Sequence, residues 1–226
     1  MPSSRRLKAL LDVHVFESNQ IKATRRGAGA RRREARGMQE QASGAGAIPA
    51  QVWQASSFVE VLQWRARLQP ERVAYTFLRD GQEVDGVYTY ARLEREVRAF
   101  AHRLRARAAP GERAMLMLPS GLDYIVAFLG CLQAGVIAVP AYPPANRRHL
   151  ARLQAIADDC DPRVVITNAA ADAALARARA KAVAGRLEAE SLHWLCMAPT
   201  QAQDDAPALP DAAWPGAAFL QYTSGS

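Results

Sequence analysis

Apolar residues along this chain follow helical spacing and strand spacing in turn. A capping box formed by Ser57 and Glu60 opens an apolar helical pattern that Pro70 ends. Residues 72–79 and 82–88 alternate between apolar and polar on either side of an Asp-Gly pair, which predicts a β-hairpin. The first part of the pattern therefore predicts one helix and one hairpin.

A long amphipathic helix is predicted next. Thr89 is placed to cap it, and helical spacing continues from Tyr90 to about Arg107. The side chains expected in its buried stripe are Leu93, Val97, Phe100, Ala101 and Leu104.

Beyond this helix, short continuous apolar runs alternate with further helical patterns. Runs of this kind are typical of strands that are covered on both faces. They comprise residues 113–118, 136–139, 164–167, 192–196 and 217–222. Strand, helix and strand at this spacing predict parallel pairing, so the predicted fold class is α/β, with a mostly parallel sheet flanked by helices.

Two loops after predicted strands carry candidate binding residues. The first is a stiff proline-rich loop, in which we expect Tyr142 to cover the sheet edge, although its ring could also stack on a ligand. The second follows the last predicted strand and consists of Thr223, Ser224, Gly225 and Ser226. Glycine lets the backbone approach an anion, and amides and hydroxyls donate hydrogen bonds to it, so this loop can cradle phosphate. Ligands of such sheets bind at the carboxyl ends of the strands, but four small polar residues also form ordinary turns.

Positive charge is concentrated in the first 47 residues. The chain has 29 Lys and Arg against 22 Asp and Glu, and residues 1–47 hold ten of the basic and four of the acidic residues. This Arg-, Gly- and Ala-rich stretch buries little, so a disordered leader is predicted before a folded part at residues 48–226. The leader fits a basic arm for nucleic acid or membrane, a transit peptide, or sequence upstream of the true start. We favour the last, because the strong bias to arginine suggests a GC-rich genome.

Composition and motifs argue against several classes of protein. The three cysteines lie far apart without metal spacing, and no apolar run approaches the ~20 residues of a membrane span. No Walker lysine pattern, dinucleotide fingerprint, zinc-protease motif or nucleophile elbow is present. We therefore expect a cytoplasmic protein and assign no metal ligand and no catalytic residue.

Three stretches resemble one family. Leu220–Ser226 resembles the start of the phosphate-binding motif of adenylate-forming enzymes. Residues 119–144, which end in Val-Pro-Ala-Tyr-Pro-Pro, are similar to the N-terminal subdomain of fatty-acyl-AMP ligases, and Tyr88–Leu93 also looks like this family. The resemblance covers about Trp53 to Ser226 and implies the N-terminal part of the adenylate-forming enzyme fold.

The resemblance also implies an acid–AMP-forming ligase. A fatty acid would react with ATP to give acyl-adenylate and pyrophosphate, and the acyl group would pass to the phosphopantetheine thiol of an acyl carrier protein, often for polyketide assembly. The hydroxyls of Thr223, Ser224 and Ser226 and the amide of Gly225 would hold the β- and γ-phosphates, while Mg²⁺ would neutralise charge. Nucleic acid is not expected as a partner.

Other interpretations stay open. A fatty acyl-CoA synthetase or a loading module of a polyketide or peptide synthase would carry the same residues, and a non-catalytic binding protein could use the basic leader. The resemblance breaks off inside the loop, and the family's loop lysine and mobile C-terminal domain would lie beyond Ser226. We therefore expect an incomplete AMP-binding domain at residues 48–226, an N-terminal fragment that does not form acyl-adenylate by itself.

Overall fold

The computed structural model describes residues 55–79, 81–179, 187, 191–197, 209 and 216–223. The predicted leader at residues 1–47 lies outside this part of the chain, as do Ser224, Gly225 and Ser226 of the predicted phosphate loop. The expected disorder of the leader therefore stays a prediction.

The first helix, α1 (Phe58–Leu68), begins at the predicted cap. The Ser57 hydroxyl accepts a hydrogen bond from the Glu60 amide at 3.1 Å. The Glu60 carboxylate accepts from the Ser56 amide at 2.7 Å and from the Ser56 hydroxyl at 2.9 Å, not from Ser57. Both bonds lower the pKa of Glu60, and the bond from the Ser56 backbone amide has the larger effect. The reciprocal half of the capping box thus falls one residue upstream of the predicted place.

The predicted hairpin and long helix are confirmed. Strands β1 (Val73–Arg79) and β2 (Glu83–Thr89) pair antiparallel, and α2 (Tyr90–Arg105) follows directly. The Thr89 hydroxyl accepts a hydrogen bond from the Arg92 amide at 3.3 Å, which caps α2. The buried residues of α2 are the five that the spacing predicts. They form one apolar stripe at 3.6-residue spacing, and this stripe faces the core.

Within the described residues, the main sheet has four parallel strands, β3 (Arg113–Met117), β4 (Ile137–Ala141), β5 (Val164–Thr167) and β6 (His193–Cys196), in the spatial order β4-β3-β5-β6. Helices α3 (Leu122–Ala134), α4 (Arg147–Cys160) and α5 (Ala169–Arg179) connect them. Alternate strand residues point to two cores, one with α2 and α3 and one with α4 and α5. The predicted α/β class is therefore confirmed.

Helix α4 is tied to the sheet at its C-terminus. The guanidinium of Arg113, the first residue of β3, donates to the carbonyl oxygen of Cys160 at 2.6 Å and to that of Asp161 at 2.8 Å. A cation at this end of a helix also meets the negative end of the helix dipole. The helix that borders the candidate site is thereby fixed relative to the strands.

The predicted last strand is only partly correct. Residues 217–222 run beside β4, but the pairing is a single parallel bridge between Ala138 and Phe219. In it, the Ala138 amide donates to the Ala218 carbonyl at 3.2 Å, and the Leu220 amide donates to the Ala138 carbonyl at 2.8 Å.

Both neighbouring pairing positions on this edge of β4 lack a free amide donor, so neither can form the two hydrogen bonds of a bridge. In a parallel pair every second residue of a strand faces the partner, so the next amides in line belong to Val136 and Pro140. The Val136 amide already donates to the Cys131 carbonyl at 2.9 Å in the turn that ends α3. Pro140 has no amide hydrogen. The ladder therefore stops on both sides of Ala138.

Candidate active site

A cleft of about 550 Å³ opens at the carboxyl ends of β3 and β4. Ser120 borders it after β3, and residues 140–143 border it at the end of β4. His149 and Arg152 of α4 line another side, and the segment Phe219–Tyr222 closes it. The cleft therefore lies where parallel α/β sheets bind their ligands.

One wall of the cleft is aromatic. The rings of Tyr124 and Phe128, one turn apart on α3, stack with centroids 6.3 Å apart. Phe219 meets Phe128 edge to face at 5.7 Å, which adds a side-chain contact to the single bridge at Ala138. Tyr142 is 77% exposed, so the expectation that it covers the sheet edge is wrong. Its exposed ring borders the cleft instead.

Polar groups meet at the mouth of the cleft, around Tyr222. The Tyr222 hydroxyl donates a hydrogen bond to the Asp159 carboxylate, and the Arg152 guanidinium donates to the Tyr222 carbonyl oxygen at 3.4 Å. The bond to Asp159 raises the pKa of Tyr222 to about 12, because it stabilises the protonated phenol. These three residues were not singled out from the sequence. Seven-residue spacing places Asp159 and Arg152 on one face of α4, but no local signal shows that Tyr222 contacts that face.

Of the four predicted phosphate-binding residues, the structure describes only the first, Thr223. Thr223 follows Tyr222 directly and is exposed, and it is the last residue that the structure describes. Ser224, Gly225 and Ser226 lie outside the described residues, so the loop as a phosphate site stays a prediction. Within the described part of the chain, no group of three or more His, Cys, Asp or Glu side chains could hold a metal ion.

Two of the three cysteines are buried away from the cleft. Cys131 and Cys160 pack in the two cores, and burial raises the pKa of both thiols, that of Cys160 to about 11. Both residues therefore serve as small apolar side chains of the cores. None of the helices that the structure describes combines the length and apolar character required to cross a membrane.

Known proteins match most of this chain. The family model described as "AMP-binding enzyme" matches residues 62–226. A Mycobacterium tuberculosis protein named as a fatty-acid–CoA ligase, FadD21, is 36% identical over 178 residues, which is 76% of this chain and 29% of that protein. The medium-chain-fatty-acid–[acyl-carrier-protein] ligase JamA of Moorena producens is 35% identical over 176 residues, again 76% of this chain and 29% of the relative.

The structure is also similar to solved ligases. The fatty acyl-adenylate ligase from Legionella pneumophila, solved in complex with acyl adenylate and pyrophosphate, matches with a TM-score of 0.62 and 30% sequence identity. The match covers 80% of this chain and 30% of that protein. The chain thus spans about three tenths of the length of the relatives it matches.

Proposed function

Since this chain belongs to the family of AMP-binding enzymes, we propose that the protein containing it is an acid–AMP-forming ligase that activates a fatty acid with ATP. The observation that supports this most directly is the path of residues 219–223. They leave the sheet at the carboxyl end of β4, border the cleft and lead straight into Ser224-Gly225-Ser226. A sequence of small hydroxyl residues directly after such a segment suits the triphosphate of ATP.

The described residues are compatible with an anionic ligand. Arg152 and His149 line the cleft, and the exposed Thr223 hydroxyl is free to point to a phosphate oxygen. In the proposed site, Thr223, Ser224 and Ser226 donate hydroxyl hydrogen bonds to the β- and γ-phosphates, and the Gly225 amide donates a backbone one. When bound with ATP, Mg²⁺ would neutralise part of the charge of the phosphates.

The proposed chemistry requires positioning more than acid or base catalysis. A carboxylate oxygen of the fatty acid attacks the α-phosphate, the bond to the bridging oxygen breaks, and pyrophosphate leaves with that electron pair. Holding the leaving phosphates still keeps attacking and leaving oxygens in line and stabilises the charge that develops on pyrophosphate. This is the role we propose for Thr223–Ser226.

We propose an acyl carrier protein as the acceptor of the acyl group. Its phosphopantetheine thiolate would attack the acyl carbonyl and release AMP, forming a thioester. JamA carries this acceptor in its name, whereas FadD21 is named for coenzyme A, so coenzyme A is the second candidate. Mass spectrometry separates the two, because only one of the two acceptors should gain the mass of the acyl group.

Two measurements test this function. An immunoblot of native cells against residues 50–200 gives the mass of the protein that contains the chain, and we expect a band far above 24.6 kDa. That native protein should exchange radiolabelled pyrophosphate into ATP when fatty acids of several lengths are supplied. We expect the 226 residues alone to stay at background. Exchange that does not depend on any fatty acid would contradict the proposed substrate class.

A further inference from the structure

Among the described residues, the sheet pairs with the segment that precedes the proposed phosphate loop at a single position. The bridge at Ala138 fixes Phe219, and the blocked amides at Val136 and Pro140 prevent a longer ladder. A segment held by one bridge can pivot about it, so hydrogen bonds to the sheet do not fix the direction of the chain three residues later. Side chains must supply a second point of attachment.

Helix α4 supplies that second point. The Asp159 carboxylate accepts the hydrogen bond of the Tyr222 hydroxyl, and Arg152 donates to the Tyr222 carbonyl. Asp159 and Arg152 lie two helical turns apart, so they contact Tyr222 at its side chain and its backbone. Leu220 and Tyr222 also pack, partly buried, on the core that contains α4.

We propose that Asp159 and Arg152 are positioning residues that hold Tyr222 and so fix the point at which the phosphate-binding loop begins. This inference rests on the proposed function, because it assigns these residues to the ATP loop that the function requires. Their effect on the loop passes through Tyr222 and does not require either side chain to touch ATP. The raised pKa of Tyr222 is consistent with a phenol that stays protonated and donates its hydrogen bond to Asp159.

The hydrogen bonds predict a modest, specific effect on ATP. Loss of one hydrogen bond to a charged partner at the protein surface should lower the equilibrium constant between the ordered and the disordered loop about three- to tenfold. Asp159 and Tyr222 order the loop before ATP binds, and once ATP is bound the phosphates themselves hold the loop, so the added cost of ordering it raises KM for ATP rather than lowering kcat. Asp159→Ala and Tyr222→Phe should therefore raise KM for ATP about three- to tenfold and leave kcat within about twofold.

Two further variants separate positioning from general damage. Asp159→Asn keeps an oxygen that can accept the Tyr222 hydrogen bond, so it should restore most of the wild-type KM. Asp158→Ala removes an exposed carboxylate at the adjacent position of α4, turned by about 100° from Asp159, and should behave as wild type. Pyrophosphate exchange on the native protein gives both kinetic constants.

Hydrogen exchange on the 226-residue chain gives a readout that does not depend on activity. The reporters are the Leu220 and Ala138 amides, whose hydrogen bonds form the bridge. Both should exchange about three- to tenfold faster in Asp159→Ala and Tyr222→Phe, with no change in Asp158→Ala. ATP need not bind for this measurement.

The outcomes distinguish the inference from the function on which it rests. If the native wild-type protein shows no exchange with any fatty acid, the proposed function fails, whatever hydrogen exchange shows. Unchanged exchange of Leu220 and Ala138 in Asp159→Ala would overturn the attachment itself. Faster amide exchange with an unchanged KM for ATP would overturn the link between the attachment and the loop.

Discussion

Helices α2 and α3 approach each other closely where Gly130 of α3 faces Phe100 of α2. A Cβ atom added at Gly130 would lie 3.3 Å from Cε1 and 3.4 Å from Cγ of the Phe100 ring, and closer still to Cδ1. Phe100 is fully buried, so its ring cannot swing into solvent to make room. Gly130→Ala therefore has two opposing effects on stability: a steric clash that destabilises the fold, and the higher helix propensity of alanine that stabilises it.

The clash should be the larger of the two effects. Adding a methyl group to a well-packed core costs about 1–3 kcal/mol, and a rigid ring at this distance favours the upper half of that range. Replacing glycine by alanine inside a helix stabilises by about 1 kcal/mol. The net expectation is a loss of about 1–2 kcal/mol in the free energy of unfolding, which lowers the urea midpoint by roughly 0.5–1 M.

A double-mutant cycle with Phe100→Leu tests the cause. The smaller side chain removes the ring edge, so in that background Gly130→Ala should be neutral or stabilising by up to about 1 kcal/mol. Ala155→Gly, at an exposed position of α4, measures the propensity term alone and should cost about 1 kcal/mol. Stabilisation by Gly130→Ala in the wild-type background would refute the close packing of α2 on α3.

Three further outcomes are expected. Ellman's reagent should modify the exposed Cys196 rapidly, whereas the buried Cys131 and Cys160 should react only at the rate at which the fold opens. The native chain should therefore show one rapidly reacting thiol, and the unfolded chain three. Stability should fall at alkaline pH, measured by urea midpoints. The pKa of Cys160 is raised from 9.0 to about 11, so its contribution to folding stability is complete below pH 9 and is lost as the pH rises through about 11. The pKa of Tyr222 is raised from 10.0 to about 12, so its contribution to folding stability is complete below pH 10 and is lost as the pH rises through about 12. Ser57→Ala should cost about 1 kcal/mol by removing the cap of α1, seen as a lower urea midpoint.

Local patterns predicted the local elements well. The hairpin, the capped start of α2 and its buried stripe all follow from residues within a few positions of one another, where spacing alone selects the face that is buried. The same holds for the parallel strands as a class, because buried apolar runs joined by helices have few other arrangements. The spatial order β4-β3-β5-β6 did not follow, because strand pairing depends on contacts between distant residues.

In the candidate site too, features set by neighbouring residues could be predicted, and contacts between distant residues could not. Thr223–Ser226 drew attention through composition, whereas Asp159 and Arg152 are exposed residues of a helix and look like any solvated face. Their relevance arises from Tyr222, which lies more than sixty positions further along the chain. A contact of this kind appears only when the sheet has brought the two segments together.

The single bridge at Ala138 has causes that are visible in the sequence. Gly135 ends α3 in a left-handed conformation, with φ at 69°, and the turn it forms takes up the amide of Val136. Pro140 removes the other outward-facing amide four residues later. A strand that carries a helix-ending glycine before it and a proline within it offers its outer neighbour one pairing position. On the proposal that side chains of α4 fix the entry to the loop at Thr223, substitutions on that helix should change ATP binding more than substitutions on β4.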